Sequence, residues 1–200
     1  HQIILDLLRQ YQVTPAVISI VSEYLSLPDH NKSGKGMVAG GAISPLIGAL
    51  YLMPLDKLME ELQATIGIRY QRYMDDYVIF APTRHKLRKA IKLMYAMLDD
   101  LKVEVHPKKR FIGTTRRGFD FLGYWLEPHR PLTPSQVSLT RLIDRSRQLL
   151  ERTASITRLR QYVRRWLQWH HSGLRGLTAR SSSLECFWQY VTKALKFISS

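Results

Sequence analysis

The stretch RYMDDYVIF, at positions 72–80, decides the fold of this 200-residue chain. It sets Asp75 beside Asp76 between two short stretches rich in β-branched and aromatic residues, at positions 66–71 and 77–81. Such stretches predict strands, and the roughly four residues that join them predict a tight hairpin. Two carboxylates are therefore expected together at the tip of a β-hairpin.

The neighbouring carboxylates of Asp75 and Asp76 have two interpretations. Like charges repel, and adjacent side chains of a strand point to opposite faces, so the two cannot easily share a core partner. A hard divalent cation compensates for this, because Mg²⁺ prefers carboxylate oxygens and phosphoryl transfer can use two ions about 3.5–4 Å apart. The other interpretation is an ordinary turn, in which Asp is a common residue. The apolar stretches on both sides favour the metal site.

Helical spacing of apolar residues predicts helices on the N-terminal side of the hairpin, and a run rich in Gly, Asn, Ser and Pro predicts a loop. Thr14-Pro15 and Ser44-Pro45 each supply a cap residue and a proline for a first helical turn. The predicted helices cover residues 2–12, 15–25 and 44–62, and the predicted loop covers residues 28–41.

On the C-terminal side, the sequence predicts an amphipathic helix capped by Thr83, then a brief strand and a second hairpin. The strand covers residues 103–105, and the hairpin joins residues 110–112 to residues 119–126. Beyond a Pro-rich hinge, the predicted helices cover residues 135–154, 156–172 and 183–198. These elements predict an α+β fold with a boundary near residue 128 and a helical segment over residues 129–200.

Charge is distributed unevenly along the chain. Residues 1–100 carry 11 basic and 10 acidic side chains, whereas residues 101–200 carry 19 basic and 6 acidic ones. The second half therefore predicts a polyanionic partner, and nucleic acid is the most common one. A solvated basic surface or an acidic protein partner would produce the same charge.

Composition excludes several classes of protein. Cys186 is the only cysteine, which excludes an internal disulfide framework and a multi-cysteine zinc site. No apolar run reaches the roughly 18–20 residues of a membrane span. We therefore expect no membrane partner and a reducing, cytoplasmic environment.

RYMDDYVIF resembles the catalytic motif of reverse transcriptases, most closely the bacterial group II intron and retron-type enzymes. The resemblance implies an RNA-directed DNA polymerase. Residues 1–128 would be a partial palm, an antiparallel sheet with packed helices, and residues 129–200 an all-α thumb-like subdomain. It also implies that Asp75 and Asp76 are catalytic and bind two Mg²⁺ ions, and that Tyr73 and Met74 lie beneath the primer end.

The segment GMVAGGAISPL, at positions 36–46, resembles the template-positioning segment of this family, with Val38 and Ala39 where the family carries Pro-Gln. The other interpretation is a Gly-rich loop that caps a helix, in which glycines allow close backbone approach. The resemblance implies contacts with template and nucleotide from Gly40, Gly41, Ser44 and Pro45.

Two motifs after the hairpin extend the resemblance. HPKKR, at positions 106–110, implies that Lys109 is catalytic as a proton donor to the leaving pyrophosphate, although a basic turn is the alternative. GFDFLGY, at positions 118–124, resembles the primer-grip hairpin and is also typical of a buried aromatic strand. The implied primer-grip residues are Phe121, Leu122, Gly123 and Tyr124.

The helical segment resembles the thumb, which packs against the template–primer duplex. Its basic side chains are expected to contact phosphates without reading sequence, so that binding should be strong and salt-sensitive. Trp166 and Trp169 on the same helix are predicted to be core residues. The residues implied for backbone contact are Arg158, Arg160, Arg164 and Arg165.

The opening HQIIL resembles the family segment in which a histidine begins a helix shortly after the first catalytic carboxylate. The resemblance therefore implies an N-terminally truncated fragment that starts after that carboxylate and after the fingers. Asp6 falls on an amphipathic helix, Asp29 in a loop and Asp56 late in a helix, so none is predicted to replace it.

Three functions follow from the sequence. The first is a reverse transcriptase fragment whose partners are an RNA template, a DNA primer and deoxynucleoside triphosphates. The second is a non-catalytic RNA-binding module, maturase-like or residual from a retroelement, which Ala39 and the missing carboxylate favour. The third is a structural or protein-binding domain in which the Asp-Asp turn has no catalytic role.

Overall fold

The computed structural model describes residues 1–27, 41–106, 110–152 and 155–171. The chain divides into two compact units, His1–Lys109 and Arg110–Ser200. The first unit contains helices and one β-hairpin, and the second contains a small antiparallel sheet followed by helices. The predicted α+β class is confirmed.

The first unit is built around the hairpin that carries the Asp-Asp pair. Its elements are α1 (Gln2–Gln10), α2 (Pro15–Ser26), α3 (Ser44–Tyr51), α4 (Met53–Ile66), β1 (Arg69–Tyr73), β2 (Asp76–Phe80) and α5 (Arg84–Asp100). β1 and β2 pair antiparallel from Arg69 opposite Phe80 to Tyr73 opposite Asp76. Thr83 caps α5 through its side chain, which accepts a hydrogen bond from the Lys86 amide, as predicted.

The core beneath the hairpin comes from α4 and α5. Apolar residues repeat every three or four positions on both helices, so one face of each is buried against the other and against β1. Leu55 and Met59 are completely buried, and the cluster also contains Leu62, Ile68, Tyr70, Ala90, Met94 and Leu98. A second cluster of α1, α2 and α3 consists of Ile4, Leu8, Val21, Leu25 and Ile47.

The predicted helix over residues 44–62 is two helices, α3 and α4, that meet at Leu52. Pro54 lacks an N–H group, so it interrupts helical hydrogen bonding and is accommodated in the first turn of a new helix. Ser44 is not the cap residue, because Ile43 precedes the first turn and the Ser44 hydroxyl lies 2.7 Å from the Tyr24 hydroxyl. Thr14 occupies the cap position of α2 without a side-chain hydrogen bond there.

Two strand predictions in the first unit need correction. β1 begins at Arg69 rather than near residue 66, because α4 continues to Ile66 and ends at Gly67. The predicted strand at 103–105 is not a strand, since the sheet of this unit consists of β1 and β2 alone within the described ranges. Val103 and Val105 instead pack as irregular chain against the α4–α5 core.

The second unit begins with the sheet β3 (Phe119–Phe121), β4 (Tyr124–Leu126) and β5 (Thr133–Pro134), after a short 3₁₀ turn at Thr115–Arg117. The helices α6 (Gln136–Glu151) and α7 (Ile156–His171) follow and pack around Leu142, Leu159 and Val163. Both were predicted within a few residues. The third predicted helix, residues 183–198, and Cys186 lie outside the described residues.

The second hairpin differs from its prediction. It closes within residues 119–126, because β3 pairs with β4, whereas residues 110–112 are not in a strand and the Phe111 ring stacks on Phe119 at 6.3 Å. The predicted hinge also contributes to the sheet, since Thr133–Pro134 pairs with β4. The two compact units meet at residue 109, and Tyr124 of this hairpin packs on α7 within the second unit. The predicted domain boundary near residue 128 stays a prediction.

None of the helices in the described part of the chain combines the length and the apolar character that a membrane crossing requires.

Met59→Ala is expected to lower the free energy of unfolding by about 2–5 kcal/mol. Met59 is fully buried between α4 and α5, so its loss removes apolar contact and leaves a cavity. Urea unfolding followed by circular dichroism measures the change. The matched control is Leu46→Ala, because Leu46 is 63% exposed and should change stability by less than about 0.5 kcal/mol. Equal losses in the two variants would contradict this description of the core.

Candidate active site

The tip of the first hairpin is a two-residue turn. Tyr73 pairs with Asp76, and Met74 and Asp75 connect them. Met74 has φ 55°, a left-handed conformation that is unfavourable for a residue with a side chain. Asp75 and Asp76 are both exposed, so their carboxylates are open to a cation or a phosphate-bearing substrate from solvent.

The alternation of side chains gives the hairpin two different faces. Tyr70 and Arg72 share the inner face towards α4, and their partners across the ladder are Ile79 and Tyr77. Tyr73 and Asp76 lie directly opposite each other on the outer, exposed face. The hairpin is therefore fixed to the core on one face and presents an aromatic ring and a carboxylate on the other.

The inner face is attached to α4 through Asp56. The Tyr70 hydroxyl and the Arg72 Nε both donate to Asp56 Oδ1 at 2.8 Å, and Arg72 Nη2 pairs with Asp56 Oδ2. Arg72 Nη1 donates to the Met74 carbonyl oxygen at 2.7 Å. One guanidinium therefore joins the helix to the turn that carries Asp75.

The electrostatics of this cluster keep its groups in one protonation state. Burial, followed by the hydrogen bond to Asp56, raises the pKa of the Tyr70 hydroxyl well above its ordinary value. The hydrogen bond that Arg72 donates to Asp56 is the largest cause that raises the pKa of Arg72. Tyr70 therefore stays neutral and Arg72 stays charged over the whole physiological pH range.

Asp56 is the residue that sequence reasoning misplaced. It was predicted late in a long helix, but the break at Leu52 puts it in the first turn of α4. Arg72 was the available signal in the sequence that an acidic partner exists. It lies three residues before Asp75, and the alternation of side chains along the strand points it inward. No periodicity rule connects positions 56 and 72, so the pairing emerges only from the fold.

The carboxylate oxygens at the hairpin tip are chemically suitable ligands for Mg²⁺. Carboxylate oxygens are the ligands that this hard cation prefers, and it keeps waters and substrate phosphates in the rest of its shell. Asp75 and Asp76 supply such oxygens with open access. Across residues 1–27, 41–106, 110–152 and 155–171, no cluster of three or more His, Cys, Asp or Glu side chains is grouped to hold a metal ion.

The predicted template-positioning residues are described in part. Gly40 lies outside the described residues, as do Val38 and Ala39. Gly41 lies against Tyr24, and a Cβ at position 41 would collide with the Tyr24 hydroxyl. Ser44 is half-buried beside that hydroxyl, and Pro45 is exposed in the first turn of α3. The glycine therefore permits close packing of Tyr24, a role that the sequence did not suggest.

Lys109 also lies outside the described residues, together with Pro107 and Lys108. Its two described neighbours along the chain, His106 and Arg110, are both exposed. The assignment of Lys109 as a proton donor therefore stays a prediction from the sequence.

The predicted primer-grip residues form a second tight turn. Leu122 and Gly123 both have positive φ, at 52° and 81°, which is the signature of a type I′ hairpin. A Cβ at Gly123 would lie 2.9 Å from the Trp169 ring, so glycine is needed for both conformation and space. Phe121 is half-buried on β3, and Tyr124 is buried on β4. The structure brings these four residues together.

Tyr124 attaches that turn to α7. Its hydroxyl donates to the His170 carbonyl oxygen at 2.9 Å, and its ring stacks on Trp169 and His170 with centroids 5.4 and 5.0 Å away. Trp166 packs against the α6–α7 core, as predicted, whereas Trp169 keeps 45% of its surface exposed. Burial, followed by the charge of neighbouring His171, lowers the pKa of His170 to about 4.

The four predicted arginines of α7 are all exposed. Arg158 and Arg165 are seven positions apart and share one side of the helix, and Arg160 and Arg164 are four positions apart and share the other. The buried residues Leu159 and Val163 of the helix fix its inner face. The arginines therefore form two pairs that flank the solvent side, which suits contact with a polyanion.

The first unit thus combines an α+β fold with an exposed Asp-Asp turn at the tip of its paired strands. The family model for "Reverse transcriptase (RNA-dependent DNA polymerase)" matches residues 2–126. Because this match covers more than half of the chain, the chain belongs to the reverse transcriptase family. A comparison with curated proteins gave no match.

Acidification is expected to destabilise the protein through His170. Its pKa is about 4 in the fold and near 6.5 in the unfolded chain, so the unfolded state binds more protons between these values. Stability should therefore fall as the pH drops from about 6.5 to 4, by at most about 3 kcal/mol. Urea unfolding at pH 7 and pH 4.5 measures the change in the free energy of unfolding. This difference between the two pH values should be smaller in His170→Phe. A His170→Phe variant with the same pH dependence would contradict the assignment.

Proposed function

We propose that this protein performs template-directed nucleotidyl transfer, the synthesis of DNA on an RNA template. The observation that carries the proposal is the exposed Asp75–Asp76 turn, held by a core-anchored hairpin inside the family match. The Asp-Asp turn is exposed at the hairpin tip, so its side chains add little to the packing of the core. Its exposed oxygens fit the Mg²⁺ ions that phosphoryl transfer employs.

In the proposed reaction the 3′-hydroxyl of a primer attacks the α-phosphate of a deoxynucleoside triphosphate. A new phosphodiester bond forms, the bond between the α- and β-phosphates breaks, and pyrophosphate leaves. Asp75 and Asp76 would hold the magnesium, which when bound stabilises charge on the attacking and leaving oxygens. The carboxylates themselves supply negative charge at a point that the hairpin fixes in space.

The remaining predicted residues have proposed roles in holding the substrates. Tyr73 is 60% exposed and Met74 54%, so both offer a surface beneath a primer end. Template and nucleotide contact is proposed for Gly40, Gly41, Ser44 and Pro45. Primer contact is proposed for Phe121, Leu122, Gly123 and Tyr124. Lys109 is proposed to donate a proton to the leaving pyrophosphate.

Nucleic-acid backbone is the proposed partner of α7. Arg158, Arg160, Arg164 and Arg165 are exposed, and the second half of the chain has a net charge of +13. Arginine side chains bind phosphates whatever the base sequence, so the protein should accept template–primer duplexes of many sequences.

The proposed subclass is the bacterial retroelement enzymes of group II intron or retron type. This finer assignment is supported by the order of the motifs at positions 36–46, 72–80, 106–110 and 118–124.

Primer extension tests the proposed function. A labelled DNA primer annealed to an RNA template is incubated with the protein, deoxynucleoside triphosphates and Mg²⁺, and a gel shift on the same duplex measures binding. We expect extension that stops when EDTA removes the metal. Duplex binding without extension would contradict catalysis by this chain alone.

A second candidate function is RNA binding without catalysis. The uneven charge and the two exposed arginine pairs of α7 favour it, because they require only a polyanion as partner. Tight, salt-sensitive binding to structured RNA, with no extension under any metal, is the result that this candidate predicts.

A further inference from the structure

Arg72 connects the helix α4 to the turn at the hairpin tip. Its side chain is 13% exposed, and that of its partner Asp56 is 24% exposed. Two guanidinium nitrogens pair with the two oxygens of Asp56, and the third donates to the Met74 carbonyl at 2.7 Å. A planar guanidinium with fixed donor directions can make these contacts together, whereas an ammonium cannot.

The turn that receives this contact is conformationally unfavourable. Met74 has a side chain yet adopts φ 55°, and such residues persist only where the surrounding structure holds them. The bond from Arg72 holds the peptide that joins Met74 to Asp75. The direction in which the Asp75 carboxylate leaves the backbone therefore depends on where the guanidinium lies.

The position of the guanidinium depends in turn on Asp56. This carboxylate lies in the first turn of α4, where helix N–H groups favour negative charge, and Tyr70 donates a further hydrogen bond to it at 2.8 Å. Leu55, beside it, is completely buried. The carboxylate is thus attached next to the fully buried core of the first unit.

We propose that Asp56 is a positioning residue for the metal-binding turn and acts through Arg72 on the Met74–Asp75 peptide. The inference rests on the proposed function, since it assigns a support to the same carboxylates. Asp56 does not bind the metal in this scheme, because its oxygens accept hydrogen bonds from Arg72 and Tyr70.

The test uses Arg72→Lys and Asp56→Asn in the full chain. Arg72→Lys keeps the charge but has one nitrogen, which cannot reach both the carboxylate and the Met74 carbonyl. The matched control is Asp6→Asn, which removes a carboxylate whose ion pair with Arg9, at 2.7 Å, is exposed on α1. Circular dichroism establishes that each variant is folded.

Two readouts do not depend on catalysis. The first is the affinity for Mn²⁺ by electron paramagnetic resonance, which should weaken about ten- to hundredfold in both variants, the range for residues that orient metal ligands. The second is the ¹³C resonance of the Met74 carbonyl in the metal-free chain, which should move when its hydrogen bond is lost. The control should leave both unchanged.

Primer extension supplies a third readout. The kcat should fall about ten- to hundredfold in both variants while the affinity for the primer–template duplex stays within about twofold. If Asp56 acts through Arg72, the kcat of the double variant Asp56→Asn, Arg72→Lys should be no lower than that of the single variant with the lower kcat. Additive losses would contradict action through Arg72.

The outcomes separate this inference from the proposed function. If Asp75→Asn abolishes Mn²⁺ binding but Arg72→Lys and Asp56→Asn match the control, the positioning role is overturned and the metal site stands. If Asp75→Asn leaves Mn²⁺ binding and extension unchanged, the proposed function fails. A Met74 carbonyl resonance that is unchanged in Arg72→Lys overturns the positioning role whatever the activity.

Discussion

Replacing Asp75 by asparagine is expected to reduce primer extension by about a thousandfold or more while leaving duplex affinity unchanged. A metal ion contributes several kcal/mol to phosphoryl transfer, and each 1.36 kcal/mol is a factor of ten in rate. An asparagine keeps the shape of the side chain but removes the negative charge that holds the cation. Single-turnover extension with saturating Mg²⁺, beside a gel shift, measures both quantities.

The chain contains a matched control for this substitution. Asp99 and Asp100 form a second adjacent Asp-Asp pair, also exposed, at the end of α5. Asp99→Asn and Asp100→Asn should leave extension within about twofold, because that pair lies at the end of a helix rather than at a hairpin tip. Loss of activity in the controls, or its retention in Asp75→Asn, would contradict the assignment of the hairpin.

Neutralising the arginines of α7 is expected to weaken duplex binding by about a hundredfold at physiological salt. The variant carries Arg158→Gln, Arg160→Gln, Arg164→Gln and Arg165→Gln, and glutamine preserves helix propensity. The slope of log affinity against log salt should become shallower by up to about 3–4, if each arginine neutralises one phosphate. Fluorescence anisotropy at several salt concentrations measures it.

A triple substitution in the first unit controls for total charge. Arg88→Gln, Lys89→Gln and Lys92→Gln remove three exposed cations from α5. This variant should bind the duplex within about threefold of the unsubstituted protein, since long-range charge is screened at this salt. An equal loss in the two variants would mean that net charge, rather than the α7 surface, determines binding.

The elements that the sequence predicted well are those with a strong local pattern. The hairpin at 72–80 lies between apolar stretches. The helix after Thr83 and the helices α6 and α7 have regular apolar spacing, and Thr83 and Ser135 cap the first two of them. Their local preferences and their tertiary contacts agree, so the pattern alone indicates the structure. The pair Asp75–Asp76 belongs to this group, because its apolar flanks determine the turn.

The features that the sequence missed depend on contacts between distant positions. The break at Leu52 follows from Pro54, whereas the sequence predicted one helix over residues 44–62. Residues 110–112 have the composition of a strand, but they do not join the sheet. β4 pairs with β3 on one side and with β5 on the other. The link from Asp56 through Arg72 joins residues 16 positions apart, and no local rule reports it.

The most direct test of the central claim is to map where a divalent metal binds along the chain. Fe²⁺ replaces Mg²⁺ in the presence of ascorbate and hydrogen peroxide, and the radicals formed cleave the backbone near the ion. We predict cleavage centred on residues 73–77 that disappears in Asp75→Asn and persists in Asp99→Asn. Cleavage elsewhere, or a pattern unchanged by Asp75→Asn, would contradict the assignment of this hairpin as the metal site.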